Sequence, residues 1–326
     1  MRPGRREMFA IALAAALAAG AAAGASEGTR VLGLATGDAS GAYFPAGIAL
    51  CRVVNVDRPT HGLRCAALLS EGSVANLDAL RAGEVELALA QSDAQDAAWR
   101  GADAFAGEGP FEGLRSVASL FPEPLTLIAA EGAGIAGLGD LLGKRVNLGP
   151  AGSGQRAMVE ALMGRLGWRN SAFADAGALP TAEAVAALCE GRMDAIFLAI
   201  AHPALAVQEA TAACGGALVP VEGPQVAALV AANPFYFATE IPGGLYAGAP
   251  DPAPSFGVAA TLVTREDLPA GVVETVLGAI LDALAPLAGF EPVLAALDPE
   301  AMPRRGLTAP LHPGAEAVYR ARGLIE

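Results

Sequence analysis

The chain alternates short apolar runs with segments whose apolar residues recur every three or four positions. Runs such as Val85–Ala90 predict buried strands, and the amphipathic segments between them predict helices. Strands joined by helices predict an α/β protein built on mainly parallel sheets. Strands are predicted at 30–36, 63–69, 85–90, 114–120, 125–130, 144–148, 173–174, 194–198, 217–221 and 256–263, and helices at 42–56, 72–81, from 91 onward, 138–142, 153–166, 181–190 and 271–284.

Two breaks in this pattern predict that the chain passes twice between two lobes. The first is Phe121-Pro122-Glu123-Pro124, and the second is the glycine- and proline-rich stretch Gly243–Pro254. We expect lobe I to comprise residues 26–123 and 250–326, and lobe II residues 124–249. Two crossings form a hinge, and a hinged cleft between α/β lobes is a common ligand trap.

The first 25 residues have the pattern of a secretory signal peptide. Arg2, Arg5 and Arg6 precede the uncharged apolar run Met8–Ala19, and the small residues Ala23-Gly24-Ala25 follow at the spacing of a cleavage site. A membrane anchor is the alternative, but the apolar run is shorter than the roughly 20 residues that cross a bilayer. The pattern predicts export to the periplasm and removal of residues 1–25.

Composition narrows the class of protein. The 326 residues are 53% hydrophobic, and this length suits two domains of ordinary size. The formal net charge is −13 and no basic stripe occurs, which excludes nucleic acid as a partner. Four cysteines in an exported chain predict two disulfides, which we expect to join Cys51 with Cys65 and Cys189 with Cys214; buried free thiols are the alternative.

Three loops share one pattern of strand, Gly/Ser-rich turn and helix start: Gly37–Tyr43, Glu71–Asn76 and Gly149–Arg156. Gln91-Ser92 adds a fourth helix start. Such loops present free backbone N–H groups and the positive end of a helix dipole, both of which favour a carboxylate or phosphate. In open α/β sheets ligands bind beyond the carboxyl ends of strands, where these loops lie. The pattern predicts a site for a small anionic solute.

Arg156 is the most informative single residue of these loops. It falls in the first turn of a helix that Ser153 is expected to cap, where a cation opposes the helix dipole and needs an anion. One interpretation is a bidentate clamp on a solute carboxylate. The other is a salt bridge to Glu160 one turn later. Three tyrosines fit either the cleft lining or the core, namely Tyr43, Tyr236 and Tyr246.

The sequence gives little support for catalysis. No histidine pair among His61, His202 and His312 has metal-ligand spacing, and Gly37–Gly41 lacks the G-x-S-x-G spacing of a nucleophile elbow. We expect no catalytic residue, metal or cofactor. An exported hydrolase using Ser40 or Ser153 with His202 is one alternative function, and a periplasmic ligand sensor for a membrane kinase is another.

Several segments, in their order and spacing, resemble the TAXI-type solute receptors, the binding component of one branch of TRAP transporters. The matching segments are Gly37–Pro45, Gly72–Leu77, Gln91–Asp93, Leu120–Glu123, Lys144–Gly154, Gly191–Ala195, His202-Pro203, Asn233–Tyr236, Ile241–Tyr246 and Pro310–Ala315. Two positions depart from the usual family pattern. Asp38 adds a charge to the first loop and would suit a solute that bears an amine, and Gln155 stands where a threonine is usual.

The resemblance implies a two-lobed periplasmic-binding-protein fold and integral membrane subunits of TRAP type as partners. We also expect the receptor to be a monomer. It also implies a solute such as glutamate, 2-oxoglutarate or a related carboxylate. The ligand contacts predicted from the loops and the resemblance together are Ser40, Gly41, Tyr43, Ser73, Asn76, Gln91, Ser153, Gly154, Arg156, His202 and Tyr236.

Overall fold

The computed structural model describes residues 29–39 and 41–326. The strands are Arg30–Ala35 (β1), Leu63–Leu68 (β2), Leu87–Gln91 (β3), Leu114–Ala129 (β4), Arg145–Asn147 (β5), Asp175–Gly177 (β6), Ala195–Ala199 (β7), Ala217–Val219 (β8), Phe237–Ile241 (β9) and Ala253–Arg265 (β10). The helices are Tyr43–Val56 (α1), Arg58–His61 (α2), Ser73–Ala82 (α3), Ser92–Arg100 (α4), Gly154–Leu166 (α5), Thr181–Cys189 (α6), Leu205–Gln208 (α7), Pro224–Ala232 (α8), Ala270–Asp282 (α9), Leu284–Phe290 (α10) and Pro313–Ala321 (α11).

These strands follow the order β2-β1-β3-β10-β4-β7-β5-β6, with β8 on β4 and β9 on β10. The path divides at β4 into a first sheet, from β2 to β4, and a second sheet, from β4 to β6. Each sheet has three parallel strands, β2-β1-β3 in the first and β7-β5-β6 in the second. β10 runs antiparallel to β3 and β4, and β7 runs antiparallel to β4, so both sheets are mixed at the join.

Helices cover both faces of each sheet, which is why the strands are apolar on both sides. On the first sheet, Leu32 and Leu34 pack with Leu50 of α1 and Leu277 of α9. The opposite face packs against α3 and α4. On the second sheet, α5 and α8 cover one face and α6 and α7 the other. The predicted α/β class is confirmed.

The strand β4 joins the two sheets. Its segment Leu114–Pro124 pairs with β10, and its segment Leu125–Ala129 pairs with β7 and β8. The prediction of two separate strands, at 114–120 and 125–130, is therefore wrong, because the chain runs through Pro122 and Pro124 without leaving the strand. Ser255 of β10 donates a hydrogen bond to the carbonyl of Leu125 at 2.7 Å, which ties the two long strands together at this point. The lobe boundaries at 123/124 and 249/250 stay a prediction.

Both predicted disulfides, Cys51–Cys65 and Cys189–Cys214, are present. The disulfide Cys51–Cys65 joins helix α1 to strand β2 of the first sheet, and Cys189–Cys214 joins helix α6 to the segment before β8. The predicted signal peptide lies outside the described residues. Within the described part of the chain no single helix is long and apolar enough to span a membrane; α9 and α10, bent by 75°, meet that criterion only as a pair.

Candidate functional site

The loops that were predicted to bind a solute come from both sheets and lie near the middle of β4. The loops after β1, β2 and β3 leave the carboxyl ends of parallel strands in the first sheet, and those after β5 and β7 leave the corresponding ends in the second. Ala201, which follows β7, packs in the same apolar cluster as Tyr43 and Phe121 of the first sheet. The end of β3 and the loop after β5 also approach one another, because a Cβ at Gly154 would lie 2.4 Å from Gln91 Oε1.

Gln91, the last residue of β3, is at the centre of this region. Its backbone N–H donates to Ser73 Oγ at 3.0 Å, which joins the starts of α3 and α4. Its side-chain Nε2 donates to Glu123 Oε2 at 2.5 Å. The structure therefore brings together Ser73 and Gln91, two of the predicted contacts, with a buried carboxylate of β4.

Gly154, the first residue of α5, approaches Gln91 from the second sheet. A Cβ at position 154 would lie 2.4 Å from Gln91 Oε1, so any larger residue at the start of α5 requires the end of the Gln91 side chain to move. Gln155 anchors the same helix to the second sheet by donating from Nε2 to the carbonyl of Phe197 at 2.7 Å. The start of α5 is thus held between β7 behind it and the side chain of Gln91 in front.

Glu123 and Asp93 make this region acidic. Glu123 is 6% exposed, and burial, with the negative charge of Asp93 nearby, raises its pKa to about 7 although the bond from Gln91 opposes the shift. Asp93 lies in the first turn of α4, where its Oδ1 accepts from the N–H of Ala94 at 2.8 Å. Burial raises the pKa of Asp93 to about 6.

Tyr43 begins α1 and contacts Phe121 edge-on, with ring centroids 6.2 Å apart. Its hydroxyl is buried and forms no hydrogen bond of good geometry within the described residues. Burial and the charges of Glu123 and Asp93 raise the pKa of Tyr43, and Ser73 also lies close enough to act on it. The hydroxyl is therefore a buried polar group that lies against Ser73 and Glu123 of the acidic region.

Asn76 lies beside this region, and its side chain forms hydrogen bonds with backbone carbonyls. It is fully buried, and its Nδ2 donates to the carbonyls of Thr36 at 2.6 Å and Leu89 at 2.7 Å. These bonds fix the start of α3 against the ends of β1 and β3. A direct contact of Asn76 with a solute stays a prediction.

At the start of α5, Ser153 caps the helix and Arg156 pairs along it. Ser153 Oγ accepts from the N–H of Arg156 at 3.1 Å and donates to the carbonyl of Pro150 at 2.8 Å. The Arg156 guanidinium donates to Glu160 Oε1 at 2.7 Å and to Asn170 Oδ1 at 3.4 Å. The salt bridge to Glu160 that the sequence left open is thus present. Binding of a solute by either residue stays a prediction.

His202 lies where β4 enters the second sheet. Its Nε2 is 2.9 Å from Thr126 Oγ1 and its Nδ1 is 2.6 Å from the hydroxyl of Tyr246, which accepts from the N–H of Ala204 at 2.7 Å. A neutral ring with its proton on Nε2 satisfies all three groups, because Tyr246 can then donate to Nδ1. Burial lowers the pKa of His202 to about 4, which favours this neutral form.

The other predicted contacts fall at the edges of the region. Tyr236 packs in the core of the second sheet against Phe256, and burial, with the charges of Asp93 and Asp103, raises its pKa. Gly41 donates its N–H to Asp38 Oδ1 at 3.1 Å in the loop after β1. Ser40 lies outside the described residues. Within residues 29–39 and 41–326 no group of three or more His, Cys, Asp or Glu side chains has the arrangement of a metal site.

Glu123 and Asp93 are the site residues that the sequence analysis missed. Both were part of the matching segments, but Glu123 was interpreted as part of a break between two strands and Asp93 as the start of a helix. A carboxylate between two prolines at a predicted lobe crossing is the signal that could have found Glu123.

Comparison with solved structures places this fold among periplasmic binding proteins. A TctC solute binding protein from Polaromonas has a TM-score of 0.55 at 18% identity, covering 91% of this chain and 96% of that chain. The periplasmic aliphatic sulphonate binding protein SsuA from Escherichia coli has a TM-score of 0.53 at 16% identity, covering 90% and 88%. At this identity the likeness concerns the fold, a two-lobed α/β architecture.

The sequence match reaches further than these structural likenesses. The model of the NMT1-like family matches residues 34–323, which include both sheets, the strand β4 that joins them and every described residue of the acidic region. The chain therefore belongs to the NMT1-like family.

Proposed function

We propose that this protein is a non-catalytic periplasmic receptor that holds a small solute between its two sheets. The observation that carries the proposal is the approach of Gly154, at the start of α5, to Gln91, at the end of β3, beside the buried Glu123 and Tyr43. A site between two sheets, assembled from strand ends of both, is suited to enclosing a small molecule. The solved proteins of similar fold are named as solute- and sulphonate-binding proteins, which supports the same class of function.

The finer parts of the proposal rest on the sequence. The resemblance to TAXI-type receptors supports membrane subunits of TRAP type as the partners and a carboxylate such as glutamate or 2-oxoglutarate as the solute. The signal-peptide pattern and the two disulfides support the periplasm as the compartment. A sensor role would use the same fold, and capture of TRAP subunits by the tagged receptor in detergent extracts of its own membranes separates the two.

A ligand screen on the protein without residues 1–25 tests the proposal. We expect one or more small carboxylates or amino acids to raise the melting temperature, because a solute at 100 times its Kd stabilises the bound form by about 2.7 kcal/mol. For a domain of this size that corresponds to a rise of roughly 5 °C or more. Isothermal calorimetry should then give one site per chain. A panel in which no compound shifts the melting temperature would contradict a receptor role.

Arg156 tests the carboxylate part separately. To reach a solute its guanidinium has to leave Glu160, a partner whose side chain is 57% exposed and therefore holds it weakly. We expect Arg156→Ala to weaken binding of a carboxylate solute at least tenfold. The control Glu160→Gln should leave the affinity unchanged or improve it, since it frees the arginine. If both variants bind as the wild type does, Arg156 serves only the helix surface.

A further inference from the structure

The corner formed by Tyr43, Ser73, Gln91, Asp93 and Glu123, which we call the acidic corner, is rich in hydrogen-bond acceptors. Glu123 is 6% exposed, and Gln91 Nε2 already donates to it. That bond turns Gln91 Oε1 toward Gly154 and the opposite sheet. The oxygens of Glu123, Gln91 and Tyr43 thus supply three acceptors at one place.

The charge at this corner is negative and has no counter-ion in the described ranges. No described arginine, lysine or histidine forms an ion pair with Glu123 or Asp93, and the charged neighbour that acts on Glu123 is Asp93 itself. Arg156 at the facing helix start is paired with Glu160. Glu123 is buried and Asp93, whose charge acts on it, is half-buried, so the charged form of Glu123 is disfavoured unless a cation binds there.

The Tyr43 hydroxyl is an independent sign that a partner is missing. Tyr43 is 8% exposed, and no described protein group lies in hydrogen-bond geometry with its oxygen. A buried hydroxyl without a partner is destabilising, and such groups are rare in folded proteins. Since Ser73 and Glu123 lie next to this hydroxyl, the group that would satisfy it has to enter the acidic corner.

We propose that the solute carries a protonated amine, which binds at Glu123 and donates hydrogen bonds to the acceptors of the acidic corner. An ammonium group has three donors and no acceptor, which matches the oxygens of Glu123, Gln91 and Tyr43. This inference rests on the proposed solute-binding function and narrows it. Of the carboxylates considered above, an amino acid such as glutamate fits. 2-Oxoglutarate would instead place its keto oxygen, a hydrogen-bond acceptor, against the acceptor oxygens of the acidic corner, and would bring a dianion close to Glu123 and Asp93.

Matched pairs of amino acid and 2-oxo acid test this inference directly. The probes are L-glutamate with 2-oxoglutarate, L-leucine with 4-methyl-2-oxopentanoate, and L-alanine with pyruvate, each measured by calorimetry at pH 8. We expect the amino acid of the best-bound pair to bind at least tenfold more tightly than its oxo acid. If an oxo acid binds equally well or better, the inference fails while the proposed receptor function stands. If no member of any pair and no other compound of the screen binds, the receptor function itself fails.

The pH dependence of binding identifies Glu123 as the group that holds the amine. The groups facing Glu123 are Tyr43 of α1, Ser73 of α3, and Gln91 and Asp93 at the start of α4. Because burial raises the pKa of Glu123 to about 7, an amine has to displace its proton at pH 6. Affinity should therefore rise toward pH 8, with a limiting slope of about tenfold per pH unit below that pKa, and binding should release protons.

Variants at exposed and buried glutamates complete the test. Glu123→Gln should lower the affinity for the amino acid at least tenfold and flatten the rise between pH 6 and pH 8. The control Glu274→Gln, on the exposed face of α9, should change neither. Melting temperatures of both variants show that they fold. A folded Glu123→Gln protein that keeps the wild-type affinity, or one that keeps the wild-type slope, would remove Glu123 from the amine site.

Discussion

Replacing Asn76 by alanine should destabilise the fold far more than its small size suggests. Asn76 is fully buried, and its amide donates to the carbonyls of Thr36 and Leu89 at 2.6 and 2.7 Å. Alanine leaves both carbonyls without this donor in a site closed to water. Each lost bond to a buried acceptor costs about 1–2 kcal/mol, so the free energy of unfolding should fall by about 2–4 kcal/mol. For a domain of this size the melting temperature should fall by roughly 5–10 °C.

The matched control for this change is Asn233→Ala. Asn233 is half-buried at the end of α8 and donates one hydrogen bond, to the carbonyl of Leu229 at 2.8 Å. Its loss should cost under about 1 kcal/mol, because water can replace the donor. Urea unfolding followed by circular dichroism gives both values. Equal costs for the two variants, or a cost under about 1 kcal/mol at Asn76, would refute the role of its amide in joining β1, β3 and α3.

Three further predictions concern other parts of the molecule. Between pH 7.5 and pH 4.5 the wild type should lose about 2–3 kcal/mol more free energy of unfolding than His202→Gln. The neutral ring stabilises the fold fully above pH 6.5, and this contribution is lost as the pH falls toward the folded pKa of His202, which is about 4. Equal losses for the two proteins in urea unfolding would contradict this. Replacing both Cys189 and Cys214 by alanine should cost about 3–4 kcal/mol in the chain-entropy model, and thiol titration of the unreduced, denatured wild type should find no free thiol. Gly154→Ala should weaken solute binding at least tenfold in the wild type and less in the Gln91→Ala background, since its Cβ meets the end of that side chain; identical effects in both backgrounds would rule out the contact.

Much of the fold follows from local pattern, and the exceptions have physical causes. The helix predicted from Ser153 begins at Gly154, because Ser153 is a capping residue whatever the tertiary context. The helix α8 was missed because Pro224–Ala232 is apolar almost throughout and shows no polar face to set a helical period. Strand β9 was missed as well. A one-sided pattern was not always sufficient, since β9 and α11 have one and were also missed.

The break predicted at Pro122 and Pro124 shows a different limit. Proline is rare in strands because it lacks the N–H of the ladder. At Pro122 and Pro124, however, β4 pairs with β10, and its pairing with β7 begins only at Leu125, so a missing N–H on the side away from β10 costs no strand hydrogen bond. The partner strand adapts too, since a Cβ at Gly257 would lie 2.5 Å from the carbonyl oxygen of Glu123. Which side of a strand stays open depends on the whole topology.

Part of the candidate site was predictable, because it consists of features that depend on local sequence. Helix starts at strand ends are local features, and Tyr43, Ser73, Gln91 and Gly154 do lie together. The pairing of Arg156 with Glu160 was recognisable from their spacing, but the choice between that pair and a solute was not. Glu123 becomes a buried carboxylate only because β4 passes through the middle of the molecule.

The pairing of Glu123 with Val258, next to that of Pro124 with Gly257, has a mechanical consequence. With the predicted lobe boundaries, both chain connections between the lobes run through this antiparallel ribbon, and we expect rotation of one lobe against the other to twist it. Glu123 lies in this ribbon, and we expect neutralisation of its charge to act where a small change of angle moves the distant rims of the lobes most. We therefore expect occupancy of this one carboxylate to change the outer surface of the protein without any flexible linker.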